Sequence, residues 1–305
     1  MPAPSPFGER LAARVAERES QLVLGLDPDP ARLWPVDAPS GSSPAAAAAG
    51  AVEAHCAALL GAAAPACVAV KLQLACFERL GAAGWAALAG VVERAREAGL
   101  LVIADGKRGD VPVTAAAYAQ ALCGQTETPW GAVPGLGADA LTANPLLGRD
   151  ALEPLLIGAR AAGAGVFVLV RTSNPGAADV QDLPLEGGEV LWERLAALVD
   201  ELGAADAGPL ASVGAVAGAT VPEHLGRMRE LMPRTPFLLP GVGAQGGRVQ
   251  DLAAAFAPGR AGGLVTASRA VAGAHEQAGG DPATAARAAA ERLREEAWGL
   301  GAARG

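Results

Sequence analysis

Short apolar runs rich in valine and leucine recur along the chain, separated by longer Ala/Leu/Arg/Glu stretches of helical character. Eight runs stand out: Gln21–Asp27, Cys67–Gln73, Leu100–Lys107, Ala138–Asn144, Gly165–Thr172, Pro209–Gly214, Thr235–Pro240 and Gly262–Ser268. Between them, Gly84–Ala98, Asp150–Ala162, Leu191–Leu202, Pro222–Leu231 and Val249–Ala257 have the composition of helices. Strands alternating with helices indicate repeated βα units on a parallel sheet. Eight units in succession predict an α/β fold closed into a (β/α)8 TIM barrel.

Two stretches break the rhythm. Pro35–Ala49 begins as a Pro/Ser/Gly loop, an insertion near 35–45, and leads into a helix; Gln125–Gly137 is a second Pro/Gly-rich insertion. The final segment, Asp281–Trp298, has a helical composition with Pro282 near its start, as suits a closing helix. The 305 residues exceed the ~250 of a typical barrel by about what such insertions add, so one domain over 1–305 is expected.

Composition narrows the classes. No uninterrupted apolar run reaches the roughly 18 residues that suggest a membrane span, so none is expected. The start, MPAPSPFGERLAARVAER, is polar where a secretory signal is apolar, so the cytoplasm is the expected location. Cys56, Cys67, Cys76 and Cys123 show neither CxxC spacing nor histidine partners and read as plain buried thiols rather than a zinc site. His55, His224 and His275 fall in helical or loop segments without a motif and read as packing or surface residues. A net charge of −8 disfavours nonspecific nucleic-acid binding, so an anionic ligand would need a local pocket.

Against 22 arginines the chain has only two lysines, Lys71 and Lys107. An ammonium can release its proton in a suitable site, whereas a guanidinium in a protein effectively cannot. Both lysines fall at the C-terminal ends of predicted strands, where barrels of this kind place their active sites. Asp27 ends the first strand, Gln73 follows Lys71 on the second, and the third ends in Asp105, Lys107 and Asp110. Residues two apart on a strand share a face, so Asp105 and Lys107 are expected to project together. Beyond the seventh strand, Gly241, Gly243, Gly246 and Gly247 offer backbone amides to an anion, and Arg269 after the eighth adds a forked, charge-assisted contact. That pairing predicts a phosphate site.

The motif Asp105-x-Lys107-x-x-Asp110, within DGKRGDVPVTAAAYA, resembles the orotidine monophosphate decarboxylase family in its longer bacterial branch. LGLDPD, VKLQLACFE, LTANPLLGRD, VRTSNPGA, PGVGAQGG and TASRAV extend the resemblance over about residues 20 to 275. It implies loss of the C6 carboxylate of orotidine 5'-phosphate to give UMP, with no cofactor and no metal. Asp105 would lie beside the substrate carboxylate, Lys71 and Lys107 would offset the carbanion, and Lys107 would protonate it. Asp27 would hold the ribose hydroxyls and Ser173 would read the pyrimidine amide edge, although Thr172 and Ser173 could equally cap the following turn. Gln245 would contact the phosphate, and Pro240 and Gly246 would belong to the same binding set. Asp110 and Thr114 would reach the active site of a second subunit, which implies a homodimer with composite sites. The rivals are a magnesium-dependent sugar-phosphate decarboxylase or synthase of the same barrel group, and a silent nucleotide-binding barrel.

Overall fold

In a computed structural model, residues 4–302 are described, except 36, 38–40, 244 and 258. Eight parallel strands close into a barrel in chain order, the eighth pairing with the first. They are Leu22–Leu26, Ala69–Gln73, Leu101–Arg108, Ala140–Ala143, Gly165–Arg171, Val213–Ala217, Phe237–Leu239 and Gly263–Ala267. In register, Leu24 pairs with Val70, Val70 with Val102 and Leu141 with Val166. The ladder thus sets like-facing residues side by side.

Alternation along each strand divides the apolar residues into two cores. Leu22, Leu24, Val70, Leu72, Val102, Val166, Val168, Phe237 and Val265 face outward and pack under the helices. Val23, Ala69, Leu101, Ile103, Ala140, Phe167, Val216, Leu238 and Leu264 fill the lumen. Both faces are buried, which explains why these strands read as continuous apolar runs. An N-terminal helix, Phe7–Arg18, adds Phe7, Leu11 and Val15 to the lumen core. Phe7 meets Phe167 edge-on at 5.8 Å, so this helix stoppers the N-terminal end of the barrel and leaves the C-terminal end open.

Three expectations need correction. The sixth strand is Val213–Ala217, not Pro209–Gly214. Its VGAVA sequence has little intrinsic strand preference, and pairing with the fifth and seventh strands imposes the conformation. Val249–Phe256 forms a 3-10 rather than an α-helix, and one of its carbonyls, Ala255 O, is taken by the Arg229 guanidinium. The helical stretch Pro44–Ala66 is, by length and composition, apolar enough to cross a membrane. Averaged hydropathy overrides its isolated polar residues, but Val52, Cys56, Leu59 and Leu60 bury themselves in the outer core. The Gln125–Gly137 insertion carries a small hairpin, Gln125–Thr126 against Val133–Pro134, with Trp130 exposed between them.

Cysteines 56, 67 and 123 are buried free thiols, and burial pushes Cys67 and Cys123 up to about 12; Cys76 is half-buried. The histidines pack against tryptophan: His55 and His275 edge-on to Trp34, His224 over Trp192. Arg229 is buried without a carboxylate partner among the described residues and donates instead to four carbonyls, Met232 O, Thr235 O, Ala255 O and Gly262 O, at 2.7 to 3.0 Å. It ties the end of helix Glu223–Leu231 to both flanks of the seventh strand. Replacement by leucine leaves those carbonyls unpaired at about 1–3 kcal/mol each in part-compensated form. Arg229→Leu should therefore lower the unfolding free energy by more than about 3 kcal/mol, and a urea midpoint matching that of the parent protein would refute this role.

Candidate active site

Lumen-facing positions at the top of the barrel are polar, in the layer the core leaves unfilled. Asp27, Lys71, Gln73, Asp105, Lys107, Thr142 and Asn144 from the first four strand ends line one side of a cavity of about 660 Å³. Leu169, Val216 and Leu238 form an apolar floor beneath the other side, and Ser173, Pro240, Gly241, Gln245 and Arg269 close it. A volume of that size suits a small ligand with one apolar flat face.

Asp105 is the centre of the polar side. Its Oδ2 accepts from Lys71 Nζ at 2.7 Å, and its Oδ1 accepts from Lys107 Nζ at 2.7 Å and from Thr142 Oγ1 at 2.9 Å. Lys71 Nζ also lies 3.6 Å from Asp27 Oδ1. Burial alone would raise the Asp105 carboxyl, but the charges and hydrogen bonds of Lys71 and Lys107 hold it down at about 2. Burial likewise works against the Lys71 ammonium, yet Asp105 and Asp27 raise it above its ordinary value. Lys71 is enclosed, whereas Lys107 keeps 42% of its side chain exposed and faces the open cavity.

Lys107 reaches Asp105 by a route that simple strand alternation does not describe. The pairing of the third and fourth strands shifts between Ala104 and Arg108, so strand three bulges there. Lys107 sits in the bulge at φ +46°, a left-handed conformation unusual for a side-chain-bearing residue, and its N–H donates to Thr142 Oγ1 at 2.8 Å.

The glycine loop differs from expectation. Gly241, Gly243 and Gly246 have φ of 106°, 76° and 91°, which only glycine adopts without strain. Yet the amides of Gly243, Gly246 and Gly247 donate to Gly247 O, Gly243 O and Gly241 O within the loop. Those three are not free for an anion, and Gly246 does not line the cavity. The loop folds on itself because its own carbonyls are the nearest acceptors. Of the expected anion contacts, Gly241, Gln245 and Arg269, the last exposed at the rim, line the cavity. Gln245 Oε1 accepts from Ser173 Oγ at 2.8 Å, bridging the loops after the fifth and seventh strands. The Ser173 loop is braced from behind by Arg171, whose Nε and Nη2 grip Asp182 at 2.8 and 2.9 Å, and by Gln181, which accepts from Thr172 N at 2.8 Å.

Asp110 and Thr114 are half-buried beyond the motif and do not line this chain's cavity. Asp110 instead accepts from Val111 N at 2.8 Å. Sequence reasoning missed Thr142, Asn144 and the Arg171–Asp182 brace. The first two carry the same parity as Ala140 on the fourth strand, so strand alternation carried to that strand's end would have found them.

A parallel barrel whose open end gathers two lysines around a buried aspartate, in a cavity that an arginine also lines, has the layout of a TIM-barrel enzyme. The sequence profile of the Orotidine 5'-phosphate decarboxylase / HUMPS family matches residues 20–289, and the chain belongs to that family. It is 43% identical over 291 residues to the orotidine 5'-phosphate decarboxylase of Deinococcus radiodurans, covering 95% of this chain and 96% of that one. It is 41% identical over 280 residues to the enzyme of the same name from Rhodopirellula baltica, covering 89% of each. Among solved structures, the OMP decarboxylase of Leishmania donovani superposes with a TM-score of 0.73 at 34% identity, covering 97% of this chain and 98% of that one.

The charged trio sets a pH dependence of stability. Asp105 titrates below its ordinary 3.8 in the folded chain, so its contribution is complete above about pH 4 and is lost as pH falls toward 2. Lys71 titrates above its ordinary 10.5, so its contribution is lost only on the far alkaline side. The stability advantage of the parent protein over Asp105→Asn should hold at neutral pH and shrink between about pH 4 and 2. Urea titrations giving the same difference at every pH would contradict the assigned charge state.

Proposed function

We infer that this chain, as a single barrel domain, decarboxylates orotidine 5'-phosphate to UMP. The observation that carries the reading is the carboxylate of Asp105 held between Lys71 and Lys107 at the wall of a cavity that Arg269 also lines. Relatives with the decarboxylase name match across nearly the whole length of both chains, which favours this reaction over a sugar-phosphate synthase of the same family.

Arg269, with Gln245, would grip the phosphate, and Ser173 would face the pyrimidine amide edge. Asp27 would hold the ribose hydroxyls, with Pro240 beside the ring. The apolar floor of Leu169, Val216 and Leu238 then takes the flat face of the base, and its exclusion of water strengthens every charge in the site. The substrate carboxylate would lie against Asp105, like charge against like, and is relieved as the C6–CO2 bond breaks. The electron pair stays at C6, where Lys71 and Lys107 oppose it, and the Lys107 ammonium gives its proton to C6. Carbon dioxide leaves, and neutral Lys107 regains a proton from water. Exposure of Lys107 to the cavity supports its role as donor, while the enclosure of Lys71 supports a fixed electrostatic role.

Asp110 and Thr114 would complete the site of a second copy in a cytoplasmic homodimer. Their absence from this chain's cavity agrees with that placement, as do the exposed Val111 and Val113 beside them.

Two measurements test these assignments. Arg269→Ala should lower kcat/KM for orotidine 5'-phosphate by about tenfold to a hundredfold, the range of one charge-assisted contact of about 1.5–3 kcal/mol; an unchanged value would remove the phosphate role. Lys107→Ala and Asp110→Ala subunits, each inactive alone, should regain activity after mixing and subunit exchange, because a mixed dimer holds one site with both residues intact. No recovery in a confirmed heterodimer would rule out shared sites.

A further inference from the structure

The structure assigns Thr142 as the positioning residue that fixes both the proton-donating lysine and the central carboxylate. This inference rests on the decarboxylase reading and adds a device to it. Thr142 lies on the fourth strand, 1% exposed, and its hydroxyl is engaged twice. It donates to Asp105 Oδ1 at 2.9 Å and accepts from the Lys107 backbone N–H at 2.8 Å. One oxygen therefore joins the two residues that would meet the reacting carboxylate and the carbanion.

The need for that link follows from the bulge. At φ +46° the Lys107 backbone leaves the regular ladder, a conformation that is strained in a residue with a Cβ. Its N–H falls where the pairing of the third and fourth strands shifts register, and an unpaired amide in this half-buried position would add a further penalty. The Thr142 hydroxyl accepts it and so makes the strained turn tenable. Among the described residues the long Lys107 side chain is held at its tip by Asp105 alone, so the direction from which Nζ approaches depends on where its backbone is pinned. Asp105 in turn has two oxygens and three donors. The ammonium of Lys71 occupies Oδ2, while Thr142 and the ammonium of Lys107 share Oδ1, so the hydroxyl sets the rotation of the carboxylate plane. The methyl group of threonine restricts χ1 and holds the hydroxyl in that orientation, which serine does less firmly.

Thr142→Val keeps the shape and removes the hydroxyl; Thr142→Ser keeps the hydroxyl. With the parent protein decarboxylating orotidine 5'-phosphate, Thr142→Val should lower kcat by about tenfold to a hundredfold, the scale of a misplacement of about 1 Å at a reacting centre. KM and the affinity for UMP should stay within about threefold, since neither contact is made to the phosphate or the apolar floor. Thr142→Ser should recover kcat to within about fivefold of the parent. The Lys107 amide, followed by hydrogen exchange, should lose protection in the valine variant and keep it in the serine variant. The inference is overturned if Thr142→Val turns over at the parental rate, if kcat, UMP affinity and thermal stability fall together in both variants, or if neither Thr142→Val nor Thr142→Ala folds, which would make the hydroxyl structural only. Failure of the parent protein to decarboxylate would overturn the decarboxylase reading instead, and retained Lys107 amide protection in Thr142→Val would separately refute the hydrogen bond.

Discussion

One carboxylate is shared between two ammonium groups at the boundary between the packed lumen and the open mouth of the barrel. Asp105 would be too costly to keep ionised in that layer without Lys71 and Lys107, and Lys71 would be too costly to keep charged without Asp105 and Asp27. Each group is tolerable because the others are in place. The barrel supplies this condition by filling the layers below with Ile103, Ala140, Phe167 and Leu264, so the charges can come no deeper than the last turn of each strand.

The work divides around the rim. The first four strand ends hold the lysines, their carboxylates and the hydroxyl that orients them, while the fifth to eighth provide an apolar floor and the loops that close over it. The Ser173–Gln245 hydrogen bond joins two of those loops, and the Arg171–Asp182 pair braces one of them from outside. On the proposed assignment, the loops that would hold the phosphate and the pyrimidine edge are separate from the strand ends that would do the chemistry, so binding energy gathered at one end would be used at the other.

Much of the architecture was legible in the pattern of the chain. Apolar runs at the spacing of βα units counted the strands correctly, and seven of the eight runs overlap their strands closely. The sixth escaped because Gly214, Ala215 and Ala217 carry almost no local preference, and only the neighbouring strands make them extended. The helix expected at Val249–Ala257 became a 3-10 segment where a distant arginine claims one of its carbonyls. The candidate site was legible by residue type: two lysines amid arginines, each at a strand end, with Asp105 two residues before Lys107.

The chain's own periodicity and composition determined the number of strands, the two-core layering and the identity of the charged groups at the rim, since those follow from the order of residues along single segments. Only the tertiary structure decided how those groups meet. The bulge that turns Lys107 to φ +46°, its tether to Thr142 and the folding of the glycine amides onto their own loop depend on which donors and acceptors lie nearest once the barrel closes. Those partners come from other strands or from a turn's own carbonyls, and no local pattern states their distance.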